Sequence, residues 1–378
     1  MRALITTNHL RNFAGSEMVT LELIEHFLAR EWVVDVYTHD LGEPMLSEIQ
    51  KLPSWGRLTL HVADLAEEFA GPYDLIWVQH SILPPGVLRR LADGGVAAPV
   101  VFNHLSSFMD VELPRHAALE NQLAAVSMGM SPTTVERLLD FGIAPEKAVT
   151  FDNPAPDAFA DHSGGPVTAL TRLLVVSNHA PKEVREATSL LEAAGVEVSY
   201  LGVDDRPVRI TPEVLEGFDA VLTIGKTVQY ALSMGIPVYL YDHFGGPGWL
   251  TTATIDAAAH DSFSGRKDRR QIMASEISEE VLGGFAGALE FATSHRSEHA
   301  ERWRLSRRLE ELRADDRLRN ASRVELSPED ARQLSSLIAL HRDLYRLMVK
   351  QQDEVAELRA QLDAAGNAPV ATSASDAD

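Results

Sequence analysis

The segment TIGKTVQYALSMGIPVYLYDHFGGPG, residues 223–248, contains the residues whose types and spacing are best suited to binding a phosphate. Its Gly225-Lys226-Thr227 matches the end of the P-loop of ATPases and GTPases. That loop needs another glycine five residues before the Gly-Lys pair, so that a wide ring of N–H groups surrounds the phosphates. Ala220 occupies this position, and the residues that follow it are typical of a β-strand. The sequence therefore argues against a P-loop, and the glycines need another explanation.

The same tripeptide lies where a predicted strand turns into a predicted helix, and the free N–H groups of a helix N-terminus can bind a diphosphate. We expect Gly225 to let the backbone approach the phosphates, Lys226 to neutralise a phosphate oxygen, and Thr227 to cap the helix or donate to the phosphate. Gly245-Gly246, after the next strand, are expected to form a nest of amides for the same ligand. The alternative is an ordinary helix start and a glycine-rich turn without a ligand.

Two histidines, His80 and His104, each follow a predicted strand, where parallel strands present their carboxyl ends. An imidazole at this position can act as a base toward a hydroxyl group, although single histidines are more often structural. The first loop adds a polar cluster that is expected to face the same cleft and to bind an acceptor or a diphosphate. Its residues are Asn8, His9, Arg11, Gly15, Ser16 and Glu17. Alternatively, Ser16 only caps the first helix and Glu17 only interacts favourably with the helix dipole.

Composition limits the possible functions. The chain has 378 residues, a formal net charge of −21 and no cysteine. This charge argues against a nucleic-acid binder, which needs a basic face. The lack of cysteine excludes disulfides, thiolate metal sites and cysteine nucleophiles. No segment is as long and apolar as a signal peptide or membrane span, so we expect a cytoplasmic protein with at most peripheral membrane contact.

Short runs rich in Val, Ile and Leu alternate with amphipathic segments along most of the chain. One series runs from RALITT to SPTTVERLLDFG, and a second runs from RLLVVSN to IPVYLYD. This alternation predicts parallel sheets covered by helices, in an α/β fold with two Rossmann-like domains facing across a cleft. The predicted boundaries are a first domain at 1–155, a linker at 156–170, a second domain at 171–295, a helical and coiled-coil extension at 296–365, and a disordered tail at 366–378.

The order of these motifs resembles the GT-B glycosyltransferases of the family-4 type. AGSEMVTLELIEHFLAREWVVDVYT is similar to their first loop and helix, with Gly15 in the glycine loop. YDLIWVQHS, PVVFNHLSS and the segment from LAAVSMGMSP to NPAPDAF follow in the order found in that family, and His104 falls on a family histidine. FDAVLTIGKTVQYALSMGIPVYLYDHFGGPG resembles the donor site. The resemblance covers about residues 1–295 and implies an acceptor side in the first domain and a nucleotide-sugar side in the second.

The resemblance implies a set of donor-binding residues in the second domain. They are Asn178, Lys182, Gly202, Gly225, Lys226, Thr227, Gln229, Tyr230, His243, Gly245 and Gly246. The family usually carries two glutamates eight positions apart in this region, but Leu222 and Tyr230 occupy those positions here. Its arginine and lysine after the first strand of the second domain are only half kept. The resemblance therefore supports the fold better than the detailed mechanism.

No metal or other cofactor is expected. The other glycosyltransferase fold holds a divalent ion with an Asp-x-Asp motif, whereas Asp204 and Asp205 are adjacent and the only Asp-x-Asp is Asp376 with Asp378. Positive side chains and helix dipoles are expected to replace the ion.

The C-terminal region predicts one long helix, with Ser327 as its N-cap, Pro328 in its first turn and Gly366 as its stop. Apolar residues spaced alternately by four and three predict a coiled-coil seam for a homo-oligomer or a partner protein. The seam residues are Leu337, His341, Leu344, Met348, Gln351, Val355, Leu358 and Leu362. The alternative is a helix packed along the body of the protein itself.

These observations predict a glycosyltransferase that moves a sugar from a nucleotide donor to a glycan or lipid-linked acceptor without a metal. Two alternatives stay open. One is an enzyme like the polysaccharide pyruvyl transferases, and the other is a non-catalytic GT-B scaffold that organises partners through its coiled coil. Nucleotide binding separates these possibilities, because a scaffold does not need a nucleoside diphosphate.

Overall fold

The computed structural model describes residues 1–53, 55–62, 71–162, 167–202 and 207–366. In these residues the chain forms two β-sheets, each with a hydrophobic core on both faces, so the predicted α/β class is confirmed. The pairs Asp204-Asp205 and Asp376 with Asp378, and the predicted tail beyond Gly366, lie outside the described residues.

The first sheet has seven parallel strands in the order β3-β2-β1-β4-β5-β6-β7. Its strands are β1 Arg2–Leu10, β2 Val33–Leu41, β3 Leu58–Val62, β4 Leu75–Gln79, β5 Val100–His104, β6 Val126–Gly129 and β7 Ala148–Thr150. The helices of this part are α1 Gly15–Ala29, α2 Met45–Gln50, α3 Pro85–Ala92, α4 Ala117–Leu123 and α5 Pro132–Asp140. Alternating residues of β1 serve the two faces, since Ile5 packs in the core with α1 and Leu4 packs in the core with α3 and α4.

The second sheet has five strands in the order β12-β11-β10-β8-β9. Its strands are β8 Arg172–Val176, β9 Glu197–Leu201, β10 Ala220–Thr223, β11 Val238–Asp242 and β12 Gly245–Trp249. The accompanying helices are α6 Asp157–Asp161, α7 Lys182–Ala193, α8 Pro212–Glu216, α9 Lys226–Met234, α10 Ile255–His260 and α11 Ala274–Ser294. Strand β12 runs antiparallel to β11, which the sequence patterns did not predict.

After α11 the chain returns to the first sheet through α12 Arg296–Trp303, α13 Leu305–Ala314 and α14 Asp316–Arg319. Leu305, Leu309 and Leu312 pack in the same core as α1, so this part of the predicted extension completes the first domain. The returning chain runs beside the outgoing chain where the two domains join. There the N–H of Ala155 donates to the carbonyl of Trp303 at 2.7 Å, and the N–H of Leu305 donates to the carbonyl of Ala155 at 2.9 Å.

The predicted C-terminal helix is present as α15 Pro328–Gly366, a helix of 39 residues. Its cap is as predicted, because the hydroxyl of Ser327 accepts from the N–H of Asp330 at 3.0 Å. Leu334 and Ile338 are buried in a core with α3, which anchors the first turns of α15 on the first domain.

Further along α15, His341 and Tyr345 also face the first domain. The ring of His341 lies 6.0 Å from that of His39, and Tyr345 stacks on His9 at 5.2 Å. His341, which was expected in the coiled-coil seam, therefore packs against the first domain. The outer side of α15 exposes an apolar stripe, which consists of Leu340, Leu344, Leu347, Met348, Val355 and Leu358.

None of the helices in the described ranges combines the length and the low charge that crossing a bilayer requires.

Candidate functional site

A cavity of about 300 Å³ opens between the first loop and the carboxyl ends of β8, β9, β10 and β11. We call it the donor-side cavity. Seven of the predicted donor residues line it, namely Asn178, Gly202, Gly225, Lys226, Thr227, Tyr230 and His243. Val208 and Ile210 add an apolar wall, and Phe13 and Gly15 contribute from the first domain.

Two helices begin at the donor-side cavity. Helix α1 begins at Gly15 and α9 begins at Lys226, and both residues line the cavity. Gly225 has a φ of 65°, a conformation that favours glycine, and no heavy atom lies within 4 Å of the point that a Cβ would occupy there. Because a helix N-terminus carries partial positive charge, the cavity suits an anionic ligand.

Lys226 is not the free cation that the sequence suggested. Its ammonium lies 2.8 Å from Oε2 of Glu22 and donates to the carbonyl oxygen of Pro154 at 2.6 Å. The Lys226 and Glu22 side chains are only 8% and 2% exposed. Glu22 belongs to α1, so this buried ion pair links the first domain to the second at the floor of the cavity.

Tyr230 completes this arrangement. Its hydroxyl donates to Oε1 of Glu22, and its ring stacks on Phe159 with the centroids 4.3 Å apart. Burial raises the pKa of Glu22, and the nearby Lys226 offsets this only in part. Burial and the Glu22 carboxylate together raise the pKa of Tyr230 well above its usual value. Tyr230 therefore stays protonated and acts as a hydrogen-bond donor.

Glu22 was missed at the sequence level. It lies one helical turn after Met18, which lines the cavity, on a helix whose inner residues are otherwise mostly apolar. A carboxylate on such a face signals a buried partner, but its partner Lys226 is distant in the sequence. Arg209 forms a second link between the domains beside this floor. It donates two hydrogen bonds of 2.7 Å to the Glu25 carboxylate.

Four predicted donor residues do not line the cavity, namely Lys182, Gln229, Gly245 and Gly246. Gln229 is buried, and with its amide nitrogen turned toward the start of its own helix it donates to the carbonyls of Gly225 and Lys226, each at 2.9 Å. Lys182 is 86% exposed and pairs with Glu186 one turn further along α7 at 3.4 Å. The structure thus gives Gln229 a role in shaping the turn and directs Lys182 to solvent.

Close chain packing explains Gly245 and Gly246. A Cβ on Gly245 would lie 2.1 Å from the carbonyl oxygen of Arg270, and one on Gly246 would lie 2.0 Å from that of Leu240. The N–H of Gly246 already donates to Arg270 at 3.2 Å. The expectation that Gly245 and Gly246 form an open nest of amides is therefore wrong. The hairpin of β11 and β12 and the segment after α10 occupy the space around these two glycines. Gly202 has a similar requirement, since its Cβ would lie 1.9 Å from the carbonyl oxygen of Ser177.

His80 and His104 form part of a buried chain of side chains instead of facing a cleft. Nε2 of His80 lies 2.9 Å from Glu112, and its Nδ1 accepts from the N–H of Asn8 at 3.1 Å. Nε2 of His104 lies 2.9 Å from Glu120, and its Nδ1 donates to the carbonyl of Glu112. Both rings are 1% exposed. This corrects the expectation that they meet a substrate, because all four ring nitrogens have protein partners.

The carboxylates of this network favour the charged form of His104. Burial alone lowers the pKa of His104, but the carboxylate of Glu120 and the groups of Glu112 outweigh it and raise the pKa overall. Burial would raise the pKa of Glu112, yet the contact with His80 lowers it. Glu112 therefore stays ionised between the two rings, and the network fixes the ends of β4 and β5.

In the first loop, only Gly15 of the predicted residues lines the donor-side cavity. Glu17 accepts from the backbone N–H groups of Arg11 and Asn12 at 2.5 and 2.7 Å, and so holds the loop closed. Burial raises the pKa of Glu17 to about 7, although these two N–H groups lower it. Ser16 does not cap α1, since the N-cap position is Ala14 and makes no side-chain bond.

Asn8 and Arg11 lie at the carboxyl edge of the first sheet, under α15. Asn8 is buried and lies 3.3 Å from Nδ1 of His39, while Arg11 pairs with Asp40 at 3.2 Å. Within the described ranges, several buried polar atoms at this edge have no hydrogen-bond partner. They are Oε2 of Glu17, Nε2 of His39, Nε and Nη2 of Arg115 and Nδ1 of His341. Burial lowers the pKa of His39 and of His341 to about 3, so both rings are neutral.

Among the residues that the structure places, no group of three or more His, Asp or Glu side chains has the arrangement of a metal site.

Comparison with known proteins identifies the fold. No protein-family model and no curated protein matches the chain. Two crystal structures of HepE from Anabaena, one with UDP and one with UDP and glucose, are 13% and 14% identical to it, with TM-scores of 0.52 and 0.51. Both alignments cover 82% of this chain and 98% of HepE. A glycosyltransferase from Rickettsia africae is 12% identical with a TM-score of 0.53, over 82% of this chain and 96% of that one.

These similarities and the two facing sheets define the architecture. The protein has the GT-B fold, as the order of its sequence motifs predicted. At this level of identity the likeness concerns the fold, and the activity has to be argued from the site.

Proposed function

We propose that this protein is a glycosyltransferase that binds a nucleotide sugar in the donor-side cavity and transfers the sugar to a glycan or lipid-linked acceptor. The main observation that supports this proposal is the donor-side cavity. It lies at the carboxyl ends of four strands, where open α/β sheets bind ligands, and two helix N-termini face it. The crystal structure of HepE, which shares the fold, contains UDP and glucose. UDP-glucose is therefore the first donor to test.

The cavity offers separate regions for the parts of such a donor. The turn at Gly225 and the first turn of α9 suit the diphosphate. The apolar wall of Val208 and Ile210 suits the base and ribose. Asp242 lines the cavity at the end of β11 and supplies a carboxylate for sugar hydroxyl groups. We further propose that transfer needs no metal and takes place in the cytoplasm.

Gly15 provides a test that leaves the ion pair of Lys226 intact. Its Cβ position is open and faces the cavity, so Gly15→Trp should fill part of the donor site. Gly283→Trp is the matched control, because Gly283 is an exposed glycine of α11 that also has open space around its Cβ position. We expect Gly15→Trp to weaken UDP binding by calorimetry at least tenfold and Gly283→Trp to change it less than twofold. Equal affinity in the two variants would remove the cavity from the proposed site.

A second function has support in two observations. Both predicted catalytic histidines are fully engaged, and α15 exposes an apolar stripe. These features suit a non-catalytic scaffold that associates through α15. Binding of UDP with turnover of a UDP-sugar would exclude this function, whereas a protein that ignores UDP, GDP, dTDP and CDP in a thermal-shift panel would favour it.

A further inference from the structure

A second cavity, of about 390 Å³, lies at the mouth of the cleft next to the donor-side cavity. Phe108, Phe244, Arg266, Arg269 and Gln271 line it, and we call it the mouth cavity. The two cavities are neighbours because His243 lines the first and Phe244 lines the second. Gln271 holds this turn by donating to the carbonyl of His243 at 2.7 Å.

The centre of the mouth cavity is an arginine between two aromatic rings. The guanidinium carbon of Arg266 lies 4.2 Å from the ring centre of Phe108 and 3.9 Å from that of Phe244. Phe108 follows β5 in the first domain, and Phe244 lies between β11 and β12 in the second, so the stack spans the cleft. Stacking covers the faces of a guanidinium and leaves its N–H edges free to bind an oxyanion with two bonds.

The carboxylates of Asp261 and Asp242 act on the charge of Arg266 from a distance, but neither bonds to its N–H edges. Across the ranges that the structure covers, the guanidinium groups of Arg266 and Arg269 form neither an ion pair nor a hydrogen bond. The other two cations of this basic segment differ, since Arg270 bonds to Glu280 at 3.2 Å and Lys267 donates to Nδ1 of His260 at 2.8 Å. Four basic residues lie within 266–270 of a chain with a net charge of −21, so the segment is a local exception in charge. Two arginines thus remain available for a ligand.

We propose that the mouth cavity binds an anionic group of the acceptor, a phosphate or a carboxylate, through Arg266 and Arg269. This inference rests on the proposed glycosyl transfer and specifies its acceptor. The oxyanion lies against the N–H edges of Arg266, and Arg269 adds a second positive charge at the rim. Phe108, which is 45% exposed, offers its free surface to the apolar part or the sugar ring attached to that anion.

The test uses the full chain saturated with UDP, so that phosphates do not enter the donor-side cavity. Geranyl diphosphate, D-glucuronate and neutral methyl glucoside are titrated by calorimetry into wild type, the double variant Arg266→Gln/Arg269→Gln, and the control Lys267→Gln. We expect at least one of the two anions to bind wild type. The double variant should lose at least tenfold in affinity for that anion and the control less than twofold, with methyl glucoside much weaker throughout.

The two anionic probes distinguish the source of the anion, because preference for geranyl diphosphate indicates a lipid-linked acceptor and preference for glucuronate indicates an acidic glycan. Failure of both anions to bind at millimolar concentration, or equal binding by wild type and the double variant, would overturn the proposal. UDP affinity is measured in each variant. If UDP does not bind wild type while the anion does, the proposed function fails and the anion site stands.

Discussion

Replacing Lys226 with methionine should destabilise the fold strongly, because the substitution leaves Glu22 buried without its cation. Removing one partner of a buried ion pair typically costs about 3 to 5 kcal/mol in free energy of unfolding. The pair is nearly inaccessible to water, with side chains 8% and 2% exposed, so solvent screening does not reduce this figure. Glu22 can take up a proton when Lys226 is lost, since burial already raises its pKa, and we therefore expect about 3 kcal/mol.

The pH dependence of this loss follows from the same carboxyl group. In the variant, the pKa of Glu22 in the folded state rises further above its value in the unfolded chain. The folded variant then binds more protons than the unfolded one, so its stability falls as the pH rises above the unfolded value. The difference between wild type and Lys226→Met should accordingly be smaller at pH 5 than at pH 8.

The assay is urea unfolding followed by circular dichroism at both pH values. Lys182→Met is the matched control, because Lys182 also starts a helix and pairs with a glutamate but is 86% exposed. Its loss should stay below about 0.5 kcal/mol. The double variant Glu22→Gln/Lys226→Met removes both charges and should recover at least half of the loss. A Lys226→Met protein as stable as the Lys182→Met protein would refute this reasoning about the pair.

Three further outcomes are expected. Burial raises the pKa of Glu17 in the folded protein to about 7, above its ordinary value of 4.5, so deprotonation of Glu17 opposes folding. Between pH 4.5 and pH 7.5, wild type should therefore lose about 3 kcal/mol of stability relative to the Glu17→Gln variant. Urea midpoints of the two proteins that change in parallel over this pH range would contradict the prediction. The triple variant Leu344→Lys/Val355→Lys/Leu358→Lys should have a lower particle mass than wild type in light scattering, with a thermal midpoint changed by no more than about 3 °C. A wild-type protein that is itself a monomer would show that the exposed stripe makes no self-contact. Transfer of sugar should persist in excess EDTA, and activity that disappears and returns with Mg²⁺ would show a metal requirement.

The strands, the helices and the GT-B fold follow from local signals. Val-, Ile- and Leu-rich runs such as VVDVYT predict buried parallel strands, and Ser327 with Pro328 predicts the start of α15, because these preferences act within a few residues. The floor of the donor-side cavity could not be predicted in this way. Glu22 and Lys226 come from different domains, and nothing local to either residue identifies the other as its partner.

Gly245-Gly246 and His341 show two further limits. A glycine pair after a strand fits either an amide nest or a tight chain contact, and only the position of Arg270 decides for the contact. The spacing of apolar residues in α15 fits two overlapping faces, and only the packing against the first domain shows that His341 belongs to the inner one. In both cases the deciding atoms are distant in the sequence.

The pair of crossings between the domains determines how the cleft can move. The outgoing segment at Ala155 and the returning segment at Trp303 and Leu305 lie side by side and are bonded to each other. Two parallel connections bend together easily about one axis, but they resist twisting, since a twist would have to stretch one segment against the other. Any bending between the two domains therefore has to carry both segments together.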